Sequence, residues 1–536
     1  MRPNGGGVDF TQSGFTVYDP LTTVCNTPGG TIGNCPGNNY SRTAFPNDTI
    51  PANRINPIGA AVVNLYPLPN IATGGTQNNY SANVPDKYRY WQPMARVDYD
   101  INDTTRMYST FAYQHGTEFR NSSGFASPAE NGNINQLRQD LVASQDMTHI
   151  FSPTLLADFK GSFTRYIQVA PNGDLSSTVT PASIGLNMPN VFTTTLKLLP
   201  EINPSSNGCC YYQQAVGNSI GTDIYNTITF DNDWTKTLDK HTIHFGGEVA
   251  FFQYGNPNSV GSPNGQFQFN SSNTQYNPFQ RNTLSGINDG FIVGDMLLGY
   301  PSSGSVDNNE TTIQGFPFWA LYLQDDWKIS KNLTINIGLR YDLQAGLRER
   351  YNRLNRGMCF TCVNPLTSDP TYQANLVKDA PGLAAAGINP ASLSTVSGGL
   401  TFPGVNGNTK NAYDTDWSNI EPRLGFAYSL GPKTVLRGGY GIFYAVGLEG
   451  GSNDGFSIST PYTTSTNGGV TPTSYFASGN PFPTGAQTPP GSSLGLLTAL
   501  GNGASVDFPG RRIPRPQEFS FGFQRELPGQ MVLDAR

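Results

Sequence analysis

The feature that most constrains this chain is a repeated pairing of alternating segments across very short turns. Apolar and polar residues take turns along Arg96-Val97-Asp98-Tyr99-Asp100-Ile101, and a turn at Asn102-Asp103 leads into Arg106 to Tyr113. Successive side chains on a strand point to opposite faces, so Val97, Tyr99 and Ile101 share one face. Arg96, Asp98 and Asp100 share the other. The same pattern returns at about 140–151 with 155–166, 224–236 with 241–254, 318–329 with 333–342, and 423–430 with 434–444. A sixth pair begins at Gln517 and turns near Leu527-Pro528-Gly529, and its return strand has barely begun at Arg536. Hairpins are what such pairs predict.

Between the pairs lie long stretches rich in Gly, Asn, Ser, Thr and Pro, roughly 114–136, 167–222, 344–420 and 445–516. Loops of this length argue against a compact soluble domain. Short turns and long loops alternate strictly, so every short turn lies at one end of the strands. A tilted strand of about nine to eleven residues crosses a bilayer, and the clearest segments have that length. Backbone groups in lipid find no water, so such a sheet must close on itself. The expected fold is all-β: an antiparallel transmembrane barrel with short periplasmic turns and long extracellular loops. Residues 95–536 form its barrel region, and 1–94 read as an irregular early-barrel or loop segment. Tyr99, Trp319, Trp327, Tyr341 and Tyr444 suit aromatic girdles at the interfaces. A secreted β-sandwich or propeller shows the same alternation, but the loop asymmetry favours the barrel.

Composition narrows the alternatives. Charged residues are only 13% of the chain, Gly 60 and Pro 40 crowd it with turns, and aromatics reach 12%. Helical bundles and coiled coils are disfavoured, and so is simple disorder. A net charge of −6 argues against a nucleic-acid partner. No apolar run approaches the ~20 residues of a spanning helix, and Met1-Arg2-Pro3-Asn4 opens no signal peptide.

Several segments resemble the TonB-dependent outer-membrane receptor superfamily, specifically its Oar-like branch. The strongest is Leu321-Tyr322-Leu323-Gln324-Asp325-Asp326-Trp327-Lys328 with Leu333-Thr334-Ile335-Asn336-Ile337-Gly338-Leu339-Arg340-Tyr341-Asp342. Glu421 to Phe426, Val435 to Tyr444, Lys240 to Glu248, and Phe45-Pro46 through Asn70 are similar to further segments of that branch. The resemblance implies a receptor or transporter in a Gram-negative outer membrane, not an enzyme, and no cofactor. Its implied partners are outer-membrane lipid and lipopolysaccharide, an extracellular substrate such as a glycan or peptide, and a TonB-type energy-coupling complex acting through a plug. Signal peptide, plug, coupling box and a closing aromatic strand are not seen in these residues. The chain therefore reads as an internal fragment, with about a dozen of the more than twenty strands of such barrels.

Candidate functional residues follow from the faces. Ile335, Ile337 and Leu339 are expected to meet lipid. Asp98, Asp100, Asn336, Arg340 and Asp342 are expected to face the lumen. Arg348, Arg350, Arg353 and Arg356 cluster just beyond a strand end, where they suit contact with anionic substrate or lipopolysaccharide phosphates, or a solvated rim. In an oxidising exterior Cys25 with Cys35 and Cys359 with Cys362 are candidate disulfides, while adjacent Cys209 and Cys210 pair elsewhere or stay reduced. His241 and His244 stand on opposite strand faces and do not chelate. No metal site, nucleophile motif or phosphate loop emerges. The rival readings are a surface adhesin or secretion-related barrel, and a secreted β-rich glycan-active enzyme.

Overall fold

Each alternating pair is a hairpin of one antiparallel sheet. The computed structural model describes residues 6–536 apart from 73–78, 84, 121–135, 172–178, 190, 192–197, 205–219, 257–260, 446 and 448–449. Cys209 and Cys210 lie outside the described residues. Strands β1 (Lys87–Trp91) and β2 (Met94–Asn102) both pair with β3 (Thr105–Phe119). The next hairpins are β4 (Gln136–Ser152) with β5 (Leu155–Pro171), and β6 (Ile220–Leu238) with β7 (His241–Asn256). They are followed by β8 (Thr312–Lys328) with β9 (Leu333–Gln344), and β10 (Ile420–Gly431) with β11 (Thr434–Ile442). The last pair is β12 (Gln517–Leu527) with β13 (Met531–Ala535).

Neighbours in this sheet are neighbours in sequence, from β13 at one edge to β1 and β2 at the other. The sheet is open, because among the described residues its two edge strands do not pair with each other. The middle strands outrun the sequence expectation: β6 has 19 residues and β4, β5 and β8 have 17 each. A crossing needs only about nine to eleven. β1 had no counterpart in the sequence reading; Gln92-Pro93 separates it from β2, and proline cannot donate to a ladder.

The two faces of the sheet differ as alternation requires. On one face, Leu321 is 67% exposed, Leu323 57%, Leu339 54%, Ile337 51% and Phe519 86%. Ile335 shares that face, opposite Trp327 and Phe426 in register. On the other face of β8, Phe316, Phe318 and Ala320 are buried beneath Leu347, Leu354, Ala412 and Tyr413 of the β9–β10 connection. Further toward the short turns that same face becomes polar, with Tyr322, Gln324 and Asp326.

The described parts of several long connections, expected as loops, fold. Residues from the stretch before β1 and from the β5–β6, β7–β8 and β11–β12 connections share one buried core. Its centre includes Phe10, Ile50, Ile202, Phe267, Phe291, Leu297 and Phe476. Phe267 meets Phe476 edge-on at 4.8 Å between ring centroids. Helix α1 (Pro57–Leu65) starts where the Asn56 side chain accepts from the amides of Ile58 and Gly59. Helix α2 (Ile292–Leu298) is buried at every residue. A Cβ at Gly59 would stand 2.0 Å from the Met296 carbonyl oxygen, so only glycine lets the two helices approach this closely. A small sheet of Glu201–Pro204, Gln266–Phe269, Ser303–Asn309 and Ser457–Pro461 completes the unit. These segments join strands at the end opposite the short turns, so they form a cap there. The stretch read as irregular thus supplies part of a core. The β9–β10 connection adds a hairpin of Met358–Val363 with Ser397–Leu400 and an exposed helix, α3 (Pro370–Ala385).

Candidate functional site

Register aligns the residues of the polar face into rows. Asp98, Tyr108, Asp146, Lys160, Asp231, Glu248, Ala320 and Asp342 are successive cross-strand partners from β2 to β9. The adjacent row runs Asp100, Arg106, Thr148, Asp158, Asp233, Gly246, Tyr322, Arg340 and Glu421. Asp98 and Asp342 therefore stand in one row, and Asp100 and Arg340 in the next. Asn336 lies two rows closer to the short turns. The carboxylates at Asp146, Asp158, Asp231, Asp233 and Glu248 were not singled out by sequence reasoning. Their parity along each strand was visible, but their alignment needs the register.

Hydrogen bonds cross these rows. Arg340 donates to Asp342 at 2.6 Å and to Glu248 at 3.2 Å, which lies two strands away across Ala320. Arg423 donates to the buried Glu421 at 2.8 Å. Tyr322 donates to Asp233 over Gly246, where a Cβ would meet the Tyr322 ring at 2.9 Å. At the other edge, Arg96 donates to Asp98 and lies 3.8 Å over the Tyr108 ring, while Arg106 pairs with Asp100 at 3.2 Å. On this face the carboxylates outnumber their cations and are joined to them and to tyrosine by hydrogen bonds.

The four clustered arginines do not converge on an open anion site. Arg348 donates to Asn411 at 2.7 Å. Arg353 donates to the Thr311 carbonyl at 2.7 Å and pairs with Glu310 at 2.8 Å. Arg356 donates to the Asn411 carbonyl at 2.8 Å and to Asp414 at 2.5 Å. These three brace the β9–β10 connection, and Arg350 remains exposed. Cys25 is bonded to Cys35, and Cys359 to Cys362, each pair with Cα atoms 5.7 Å apart. His241 bonds Asp325 at 2.7 Å on the apolar face near the short turns, while His244 reaches Thr235 at 3.1 Å on the polar face.

A second polar centre sits inside the cap. Arg42 is 4% exposed, and its guanidinium donates to the carbonyls of Ser272 at 2.9 Å and Val470 at 3.0 Å, with Nε on Thr23 at 3.0 Å. Burial lowers it to about 10. Asp295 on α2 is fully buried; Thr274 donates to it at 2.6 Å and the Asn273 amide at 2.9 Å. Burial raises Asp295 to about 7, against the pull of these bonds and of nearby Arg42.

Geometry of this kind, a two-faced sheet of sequential hairpins with short turns at one end, has a match in sequence. An outer membrane beta barrel domain model matches residues 2–536. The chain belongs to that family. The family is one of outer-membrane barrels, and the outer membrane is where the chain resides. No curated protein matches the barrel in sequence. Among solved structures, the barrel is similar to the ferric-catecholate import receptor Fiu from E. coli K12, closed form, at 12% identity and a TM-score of 0.38. That match covers 84% of this chain and 50% of Fiu. It is similar to the FpvAI–pyocin S2 complex at 10% identity and a TM-score of 0.39, covering 84% of this chain and 42% of that one. It is also similar to the copper transporter OprC at 9% identity and a TM-score of 0.33, covering 67% and 37%. The chain spans half or less of the length of these solved relatives.

Proposed function

We propose that the chain is the barrel part of a TonB-dependent receptor of the Oar-like branch, a piece of a longer protein that takes up an extracellular substrate. The observation that carries this reading is the two-faced sheet, apolar and exposed outside, carboxylate-rich inside, and capped at the long-loop end. In this reading Ile335, Ile337 and Leu339 meet lipid, and Asp98, Asp100, Asn336, Arg340 and Asp342 line the lumen. The cap receives substrate, and further strands outside this chain close the open sheet. Energy coupling acts through a plug that is likewise outside it. A second reading, a surface adhesin, draws support from the cap's own core, which presents an extracellular surface independent of the lumen. The two are separated by crosslinking in cells. The intact receptor should capture a TonB-type energy-coupling protein in the periplasm, and an adhesin should capture none.

A further inference from the structure

We propose that the cap end of the polar face, from β1 to β7, is a binding subsite for a neutral glycan. The inference rests on the reading of that face as the lumen wall and names the class of substrate the wall meets. Asp140, Tyr166, Tyr225 and Tyr254 are successive cross-strand partners on β4 to β7. Ring centroids lie 6.1 Å apart for Tyr166 and Tyr225, and 4.8 Å apart for Tyr225 and Tyr254. Tyr225 is 41% exposed. Tyr166 and Tyr254 are held by donating to Gln168 at 2.6 Å and to Asp223 at 2.8 Å. On the β4 side the row neighbour of Tyr166 is a short carboxylate, not another ring. A second aromatic pair stands beyond β4. Tyr88 and Tyr90 of β1 stack at 5.3 Å, and Tyr88 lies over Gly116 of β3, where a Cβ would stand 2.9 Å from its hydroxyl. Strands are about 4.8 Å apart, so two aromatic walls flank β4 with room between them for a sugar ring.

Between the walls, three successive residues on this face of β4 each keep an unbonded polar atom among the described residues. Gln136 is 1% exposed, and its Oε1 has no partner. Arg138 pairs with Glu118 at 3.2 Å through a terminal nitrogen, while its buried Nε has no partner. Asp140 forms no hydrogen bond or ion pair. The charges of Arg138, Asp140 and Asp223 all act on the Tyr166 hydroxyl, so these groups converge on one place. Buried polar atoms are rarely left unbonded, and those of Gln136 and Arg138 mark a surface that a ligand completes. Acceptor, donor and acceptor follow one another at about 7 Å intervals along the strand. A hydroxyl both donates and accepts, so a chain of sugar hydroxyls satisfies all three. A cation would be opposed by Arg138, and an anion by Asp140. Tyrosine faces are electron-rich and receive the C–H side of a sugar ring.

The test is calorimetric titration of the intact receptor, purified in detergent, with maltohexaose, cellohexaose and chitohexaose, and with hexalysine and hexaglutamate as charged counterparts. At least one sugar should bind, and neither peptide should. Tyr166→Ala should weaken the sugar about tenfold or more. Tyr166→Phe, which keeps the ring, should bind within about threefold of the unaltered protein. Asp140→Ala should weaken binding too, and Ser520→Ala, on the same face of β12 far from the belt, should change nothing. Absence of binding by all three sugars, tighter binding of either peptide, full binding by Tyr166→Ala, or equal loss in Tyr166→Phe overturns the proposal. Accessibility at Thr164→Cys, one row closer to the short turns on β5, separates the two levels. Labelling from the lipid phase sinks the lumen reading itself, while a water-facing thiol without sugar binding sinks this subsite alone.

Discussion

At the scale of single residues, the cap is where ionisation and folding are most tightly linked. Asp295 has no exposed surface, and burial raises its carboxyl from 3.8 to about 7. Between those values the folded cap holds a proton that the unfolded chain has released. Stability attributable to this group is therefore full near and below pH 4 and declines as pH rises toward 7, by at most about 1.4 kcal/mol per unit. Above 7 the group adds no further slope. Amide exchange across α2 should accordingly show greater protection near pH 5 than near pH 8. Asp295→Asn, which keeps an acceptor for Thr274 but cannot ionise, should remove the difference. An unchanged slope in that variant would assign the pH dependence to other groups. The arginines teach a related lesson. Arg353 and Arg356 look from sequence like an anion cluster, yet each is committed to a backbone carbonyl and a carboxylate of its own chain.

At the scale of the strand, β9 is the clearest test of which face meets lipid. Ile337 and Leu339 are more than half exposed, while Asn336 and Arg340 are bonded to Asp326 and to Asp342 with Glu248. An arginine on the lipid side of such a barrel costs about 2–4 kcal/mol near the midplane, whereas lumen positions tolerate charge. Ile337→Arg in the full-length protein should therefore reduce assembled protein in the outer membrane far more than Asn336→Arg does. Equal assembly of the two variants would reverse or void the assignment. Much of β9 was legible because alternation is a local property: each side chain's face follows from its parity, and the turn at Ser330-Lys331-Asn332 fixes the reversal. The strand ends were less legible. β4 to β8 extend past the bilayer-crossing length because their ladders continue to pair with one another, and Ala250, Phe316 and Phe318 of β7 and β8 also pack against the β9–β10 connection, a benefit that no single strand announces.

At the scale of the whole molecule, two predictions concern sidedness and closure. Ser394, in the exposed β9–β10 connection, and Asn332, at a short turn, lie at opposite ends of the strands. In intact cells a thiol at Ser394→Cys should react with an impermeant maleimide, and one at Asn332→Cys should react only after the outer membrane is breached. The converse pattern would invert the topology. Ser205, in the β5–β6 connection, lies outside the described residues, so Ser394 is the better reporter. Closure follows from the open sheet. Unpaired backbone groups at a lipid-exposed edge cost several kcal/mol each. Residues 1–536 expressed alone behind an export signal should therefore aggregate instead of giving a heat-modifiable band in the outer membrane. A discrete, protease-resistant barrel would show that this chain closes its own sheet and would remove the fragment reading.

What the sequence by itself determined is the set of hairpins and the character of their faces. Both arise from interactions between residues close along the chain, so Val97, Phe159, Ile337 and Phe521 declare their side without any knowledge of the rest. What only the tertiary structure decided is the assembly of distant parts. The cap core joins Phe10, Ile202, Phe291 and Phe476, which no periodicity links, and its segments read as polar loops because each contributes only a few apolar residues. The carboxylate rows likewise exist only once the strands from β2 to β10 settle into register. Local pattern specifies elements because its physics is local, while cap and rows depend on contacts between segments that meet only after the sheet has formed.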